Sequence, residues 1–244
     1  MSNIEKNIGA DGFPVKEKRE NTIEPDMTPL ELSSEYGTVI YLIRHGQSLG
    51  NAAKVFLGHT DKDLSPLGYE QAERTAKFLE NVPIDVIYSS DLMRAYNTAL
   101  PHARGRGMDV IPSRSLREIY AGEWENMRVE DIINEYPTEF IDGWRENYGT
   151  FTIPGGESVI ESGRRFYDAV MNIAKENEGK RILIAAHASV IRSFWGIITK
   201  TEFSELATAY QYPENASVSV TYFDGKYLIP GEYSHAAHLK DLNS

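Results

Sequence analysis

The segment VIYLIRHGQSLGN, residues 39–51, joins an apolar run to a group of polar side chains. Residues 39–43 are all apolar, which is typical of a strand that is buried on both faces. Arg44 and His45 follow directly, and Asn51 ends the next short polar stretch. A buried strand that ends in this way is a rigid support, so we expect Arg44 and His45 at the rim of a sheet.

The remainder of the chain alternates between the periodicities of strands and helices. Three further short apolar runs predict strands, namely DVIY (85–88), MDVIP (108–112) and RILIAA (181–186). Helical spacing, caps and breakers predict helices between them, at residues 65–82, 92–103, 156–179 and 190–199. The alternating segment SVSVTYFDGKYLIP (217–230) contains Asp224-Gly225, a turn signal, and predicts a hairpin.

This order of elements predicts an α/β fold. Strands that alternate with helices form a mostly parallel sheet with helices on both faces, so we expect a three-layer sandwich. The final hairpin adds antiparallel strands at one edge of the central sheet. Between about residues 119 and 154 the alternation of strand and helix patterns stops and aromatic residues are frequent. This change predicts a small helical cap inserted over one end of the sheet. In this cap, Trp144 and Tyr148 either pack in the core or line a pocket.

Residues 1–35 differ from the rest of the chain in composition. They are polar, contain three prolines and show no lasting period, which predicts an N-terminal extension. The domain itself is then expected to occupy residues 36–244, with the cap at about 119–154.

The composition restricts the class of protein. The chain has no cysteine, which excludes disulfides, thiolate metal sites and cysteine nucleophiles. A formal net charge of −11 repels the phosphates of nucleic acids, so no nucleic-acid partner is expected. There is no apolar stretch of about 18 residues and no basic segment followed by an apolar run at the start. We therefore expect no membrane association and predict a cytoplasmic protein.

Several polar residues follow the predicted strands at their carboxyl ends, where open parallel sheets bind ligands. They are Arg44, His45 and Asn51 after the first strand, Arg94 after the second, Glu118 after the third and His187 after the fourth. Two guanidinium groups in one cleft form a pocket for a phosphate dianion, even on an acidic protein. A neutral histidine is a nucleophile at physiological pH, which makes His45 the candidate nucleophile. Glu118 can protonate a leaving oxygen and later deprotonate water.

Six blocks occur in the order that is known from the histidine phosphatase superfamily, the phosphoglycerate mutase-like proteins. The blocks are LIRHGQSLGN, LGHTDKDLSPLGYEQA, IYSSDLMRAYNTA, LREIYAGEWE, PGGES and AAHASVIR, within a resemblance that covers roughly residues 38–239. The resemblance implies that His45 accepts the phosphoryl group and that Glu118 is the proton donor. It further implies a set of phosphate- or substrate-binding positions, namely Arg44, Asn51, Gly58, Arg94, His187, Ala188 and Ser189. Ala188 stands where the family commonly has glycine, and WEN (124–126) replaces the commoner WEG.

These features predict a phosphomonoester hydrolase of the histidine acid phosphatase type that needs neither a cofactor nor a metal. Its partner would be a small phosphomonoester, and a homodimer is one of the oligomeric states left open. REIYAGEWE also offers Glu123 and Glu125 as the acid, although the position in the motif favours Glu118. Phosphoglycerate mutase is the alternative function, and a non-catalytic binding protein is a third. The short segment between the acid and PGGES contains only two cations, Arg128 and Arg145, which favours a phosphatase.

Overall fold

The computed structural model describes residues 37–242, so the predicted N-terminal extension at 1–35 lies outside the described residues. Residues 37–242 form eight strands and seven α-helices. The strands are β1 (Thr38–Arg44), β2 (Val55–Phe56), β3 (Val86–Ser90), β4 (Val110–Ser113), β5 (Met127–Arg128), β6 (Arg181–Ala186), β7 (Val218–Phe223) and β8 (Leu228–Pro230). The helices are α1 (Leu49–Ala52), α2 (Pro66–Phe78), α3 (Met93–Arg106), α4 (Val129–Glu135), α5 (Val159–Glu176), α6 (Ala188–Ile198) and α7 (Leu206–Ala209).

Six of these strands form the central sheet, in the order β4-β3-β6-β1-β7-β8. The pairs β4-β3, β3-β6 and β6-β1 are parallel, whereas β7 is antiparallel to both β1 and β8. The turn between β7 and β8 is the predicted one, with Gly225 at φ 93° and the Asp224 carboxylate accepting the backbone N–H of Lys226 at 2.8 Å. The mostly parallel sheet with an antiparallel edge is confirmed.

The apolar run of β1 lies between two helical layers. Ile40 and Leu42 belong to a core cluster that includes residues of α5 and α6, such as Phe166 and Phe194. Alternate residues, Tyr41 among them, belong to a second cluster with side chains of α2 and α3. Successive side chains of a strand point to opposite faces of the sheet. A strand at the centre of a three-layer sandwich must therefore be apolar at every position, and the predicted architecture is confirmed.

The four predicted helices differ from the observed ones at their ends. Helix α2 ends at Phe78 rather than at residue 82, and α5 spans Val159–Glu176 rather than 156–179. Helix α6 begins at Ala188, two residues before the predicted start, because the extended backbone of His187 forms its N-cap. Helix α3 contains Pro101 and continues to Arg106, beyond the predicted end at residue 103. It ends there because Gly107 adopts the left-handed conformation, with φ 64°, that closes a helix.

Most of the aromatic residues between 119 and 154 belong to a third core cluster, whereas Tyr120 is exposed. The segment contains β5, α4 and a π-helical turn (Glu139–Glu146), and β5 pairs with β2 from outside the segment. Trp144 and Tyr148 are only 2% and 1% exposed and pack with Trp124 in this cluster. They therefore belong to the core rather than to a pocket wall. The cap with its boundaries at about 119–154 stays a prediction.

Candidate active site

The register of two central strands places two histidines side by side. Arg44, the last residue of β1, pairs with Ala186, the last residue of β6, and the backbone N–H of His45 donates to the carbonyl of Ala186 at 2.9 Å. His45 and His187 therefore leave two adjacent parallel strands at the same edge of the sheet. Their rings meet edge to face, with the centroids 5.2 Å apart.

Two buried arginines lie beside these histidines. Arg94, in the first turn of α3, is 2% exposed and donates to the carbonyls of Gly58 and Thr60 at 2.7 and 3.0 Å. Arg44 is equally buried and donates to the carbonyl of Pro213 at 2.6 Å. These bonds hold both guanidinium groups in place, so a bound anion would meet cations that are already oriented.

A pocket opens between these side chains. Its lining contains all of the predicted site residues except His187, namely Arg44, His45, Asn51, Gly58, Arg94, Glu118, Ala188 and Ser189. Ser48, Val55, Phe56 and Leu57 complete the wall. His187 is fully buried and contacts the pocket through His45. The structure thus brings the predicted residues into one site, whereas their individual roles stay predictions.

The electrostatics of the pocket keep His45 neutral. Burial, and then the positive charges of Arg94 and Arg44, hold the pKa of His45 well below its usual value. Burial and Arg94 likewise lower the pKa of His187. Nδ1 of His45 lies 2.7 Å from the carbonyl oxygen of Gly46 and must be the protonated nitrogen, since a carbonyl only accepts. The lone pair of Nε2 then remains for a nucleophilic attack.

Glu118 is fixed by backbone N–H groups. Its carboxylate accepts bonds from Ser189 at 3.1 Å, from Val190 at 3.2 Å and from Ile119 at 2.9 Å. Ser189 and Val190 lie in the first turn of α6, where unpaired N–H groups favour a negative charge. Helix α6 therefore holds the Glu118 carboxylate at the wall of the pocket.

The other two acids of REIYAGEWE have different partners. The carboxylate of Glu125 accepts the backbone N–H groups of His59, Thr60 and Ala121 at 2.7, 2.7 and 3.0 Å. Glu123 accepts the hydroxyl of Tyr136 at 2.9 Å. Neither carboxylate lines the pocket, so the geometry favours Glu118 as the acid.

Asn51 has a defined orientation that depends on two residues which the sequence analysis missed. Its Oδ1 accepts the backbone N–H and the hydroxyl of Ser48, each at 3.0 Å, and Nδ2 of Asn215 at 3.4 Å. Asn215 also donates to the carbonyl of His45 at 3.0 Å. Asn51 itself lines the pocket. Asn215 lies 164 positions from Asn51, so only its place before the final hairpin could have indicated it.

Ser48 requires a separate assessment, because GQSLG (46–50) has the G-x-S-x-G spacing of serine hydrolases. Its hydroxyl caps α1, accepting the backbone N–H of Asn51 and donating to Oδ1 of Asn51, both at 3.0 Å. The proton of the hydroxyl is therefore bonded to an amide oxygen rather than to a base. This geometry favours His45 over Ser48 as the nucleophile.

The described part of the chain shows neither a metal cluster nor a membrane helix. Within residues 37–242, no three His, Asp or Glu side chains are grouped so that they could hold a metal ion. The spacing of His235 and His238 suits a metal pair, but His238 instead stacks on Phe78 with a centroid distance of 4.3 Å. No helix in this range is both long and apolar enough to cross a membrane.

A neutral histidine between two fixed arginines, at the carboxyl edge of a parallel sheet, is the kind of site that phosphoryl-transfer enzymes use. The chain belongs to the histidine phosphatase superfamily (branch 1), whose profile matches residues 40–229. The resemblance predicted from the sequence is thereby confirmed.

Curated relatives of the chain include phosphatases and mutases. The chain is 32% identical over 209 residues to the metal-independent phosphoserine phosphatase of Arabidopsis thaliana, covering 84% of each chain. It is 30% identical to the 2,3-bisphosphoglycerate-dependent phosphoglycerate mutase of Allorhizobium ampelinum, covering 67% of this chain and 80% of the mutase. The solved structure of mycobacterial glucosyl-3-phosphoglycerate phosphatase with VO3 superposes with a TM-score of 0.74 at 27% identity, covering 81% of this chain and 98% of that one. The chain is thus an enzyme of the phosphatase type.

Proposed function

We propose that the protein hydrolyses small phosphomonoesters through a phosphohistidine on His45. Nε2 of His45 forms a bond to phosphorus while the ester P–O bond breaks, and the Glu118 carboxyl group gives its proton to the leaving alkoxide. Water then attacks the phosphohistidine, Glu118 takes a proton from that water, and the N–P bond breaks to release phosphate. Arg44, Arg94 and His187 would stabilise the phosphoryl charge in both steps.

The observation that supports this proposal most strongly is the state of His45. Its ring is neutral, its Nδ1 proton is bonded to Gly46, and its other nitrogen is free for attack within a pocket lined by two arginines. A nucleophile held in this way needs no activating base. At the start of α6 the backbone N–H of Ala188 would add a donor for the phosphate oxygens, whereas those of Ser189 and Val190 are bonded to Glu118.

We favour hydrolysis over the mutase reaction. A mutase must return the phosphoryl group to a second hydroxyl of its substrate. It therefore needs further cations that hold the carboxylate of the phosphoglycerate in the meantime. Arg44 and Arg94 are the only lysine or arginine side chains among the residues that line this pocket, and in the proposed reaction both bind the phosphoryl group. The name of the relative from Arabidopsis thaliana makes phosphoserine the first substrate to test. Independence from metals, the cytoplasmic location and the lack of nucleic-acid and membrane partners remain predictions.

Phosphate release from a panel of phosphomonoesters, including phosphoserine and 3-phosphoglycerate, tests the proposal. The assay contains EDTA, and His45→Ala is compared with His235→Ala as a control, because His235 lies outside the pocket. We expect release by the wild type and by His235→Ala, and none by His45→Ala. A labelled substrate should leave an acid-labile phosphoryl group on the wild type and on His235→Ala, but not on His45→Ala. Isomerisation of 3-phosphoglycerate that is faster than phosphate release would identify a mutase instead.

A further inference from the structure

The segment that carries Glu118 is held from outside the pocket by a residue of α5. Arg165 donates to the backbone carbonyls of Ser115, Arg117 and Glu118 at 3.1, 2.9 and 2.9 Å. Its Nε and Nη2 also donate to the two carboxylate oxygens of Glu157, at 2.9 and 2.8 Å. A guanidinium has five N–H donors, and every one of them is used in these five bonds.

Glu157, from the PGGES motif, holds the same segment two residues further along. Its carboxylate accepts the backbone N–H of Tyr120 at 2.8 Å, and its own backbone N–H donates to the carbonyl of Tyr120 at 3.0 Å. Burial acts to raise the pKa of Glu157, but the bonds from Arg165 and from the Tyr120 N–H hold that pKa below its usual value. Glu157 is therefore ionised at neutral pH and forms an ion pair with Arg165.

We propose that Arg165 and Glu157 are positioning residues that fix the Glu118 carboxyl group opposite the leaving oxygen, which rests on the proposed role of Glu118 as the acid. Neither side chain lines the pocket, so both act through the backbone on either side of Glu118. The carbonyl of Glu118 is held a second time by Nε2 of His59 at 2.8 Å. Glu118 cannot shift along the wall without breaking charge-assisted bonds, and a displacement of about 1 Å can cost about 10²-fold in rate.

A purely structural role for this ion pair predicts a different outcome. If Arg165 only tied α5 to the neighbouring segment, its loss would slow every substrate equally. If Arg165 positions the acid, the decrease in rate caused by its removal depends on the leaving group. An alkoxide is a strong base that must be protonated as it leaves, whereas p-nitrophenolate is a weak base that leaves without a proton.

Steady-state kinetics with two substrates distinguishes these roles. The substrates are p-nitrophenyl phosphate and phosphoserine, or the best alkyl phosphate of the panel. We expect Arg165→Gln to lower kcat/KM, which does not include the later hydrolysis of the phosphohistidine, by about 10–10²-fold more for the alkyl substrate than for the aryl one. Inhibition by inorganic phosphate should change less than about twofold, because Arg44 and Arg94 are intact. Arg165→Lys keeps the positive charge but not the planar guanidinium. Its decrease in activity with the alkyl substrate should therefore lie between those of the wild type and Arg165→Gln. Arg164→Gln, an exposed neighbour on α5, should behave as the wild type.

A double mutant completes the test. In a Glu118→Gln background, Arg165→Gln should cause no further loss with the alkyl substrate, because the acid is already absent. Equal losses on both substrates, or additive losses in the double mutant, would overturn the proposal. If Arg165→Gln does not fold, Glu157→Gln is the second variant, and it should show the same dependence on the leaving group to a smaller extent. A wild type that hydrolyses neither substrate would instead refute the proposed function.

Discussion

The carboxylate of Glu118 accepts the backbone N–H of Ser189 at 3.1 Å. This bond joins the expected proton donor to the first turn of α6, across 71 positions of the sequence. Because Ser189 also lines the pocket, the acid and the start of α6 form one wall beside His45. Substitution of Glu118 tests protonation of the leaving group, and substitution of Arg94 tests binding of the phosphate.

Replacing Glu118 by Gln should slow the hydrolysis of alkyl phosphates by about 10²–10⁴-fold. The amide matches the carboxylate in size, but its N–H groups are not acidic and cannot protonate the leaving oxygen. With p-nitrophenyl phosphate the loss in kcat/KM should be below about tenfold, because kcat/KM does not include the later step in which Glu118 takes a proton from water. Values of kcat/KM with both substrates measure the difference, and a similar loss with each would mean that another group is the acid.

Replacing Arg94 by Gln should weaken both catalysis and anion binding. The substitution removes a charge beside His45 and takes the guanidinium donors from the carbonyls of Gly58 and Thr60. We expect kcat/KM to fall by at least about 10²-fold, since each charge-assisted bond contributes about 1.5–3 kcal/mol. Inhibition by inorganic phosphate and by vanadate should weaken in parallel. Arg104→Gln, an exposed position on the same helix, is the control, and unchanged inhibition in Arg94→Gln would refute the role.

His102 should make the protein less stable in acid. Its ring is fully buried, and burial, with a smaller effect of Arg106, lowers its pKa to about 3. The folded state then stays neutral while the unfolded state takes a proton below its pKa of about 6.5. This contribution to stability is complete above about pH 6.5 and falls by about 1.4 kcal/mol per pH unit as the pH drops toward the folded value.

Replacing His102 by Leu should flatten this pH dependence. Neither ring nitrogen of His102 has a hydrogen-bond partner among the described residues, so an apolar side chain of similar size removes two unsatisfied groups. We expect the free energy of unfolding at pH 7 to stay the same or to rise by about 1 kcal/mol. Urea titrations at pH 7 and pH 5 measure both effects. If the free energy of unfolding falls equally between pH 7 and pH 5 in the wild type and in His102→Leu, His102 is not the titrating group.

Asn126 explains one departure from the family pattern. Its backbone has φ 61°, in the left-handed region, and its N–H donates to the carbonyl of Phe56 at 2.8 Å. Glycine and asparagine tolerate this conformation better than other residues do. Asn126→Gly should therefore change the free energy of unfolding by less than about 0.5 kcal/mol, whereas Asn126→Ala should lower it by about 1–2 kcal/mol. Equal effects of the two substitutions on thermal unfolding would contradict this explanation.

The pattern of single segments was enough to predict the layers of the fold. The apolar run of β1 predicted a strand covered on both faces, and the structure places its alternate residues in two core clusters. Helix ends were less predictable because their caps differ from the usual residue types. The N-cap of α6 is His187 rather than serine or aspartate, and α3 continues through Pro101.

The sequence by itself determined the family, the three layers and the histidine that follows the central strand, because periodicity and a contiguous motif carry that information locally. The tertiary structure decided which of three neighbouring glutamates faces the pocket. It also revealed that Arg165 holds the Glu118 backbone from 47 positions away and that Asn215 orients Asn51. Such contacts join segments that are distant in the chain. Their geometry follows from how the helices pack on the sheet, which no local pattern specifies.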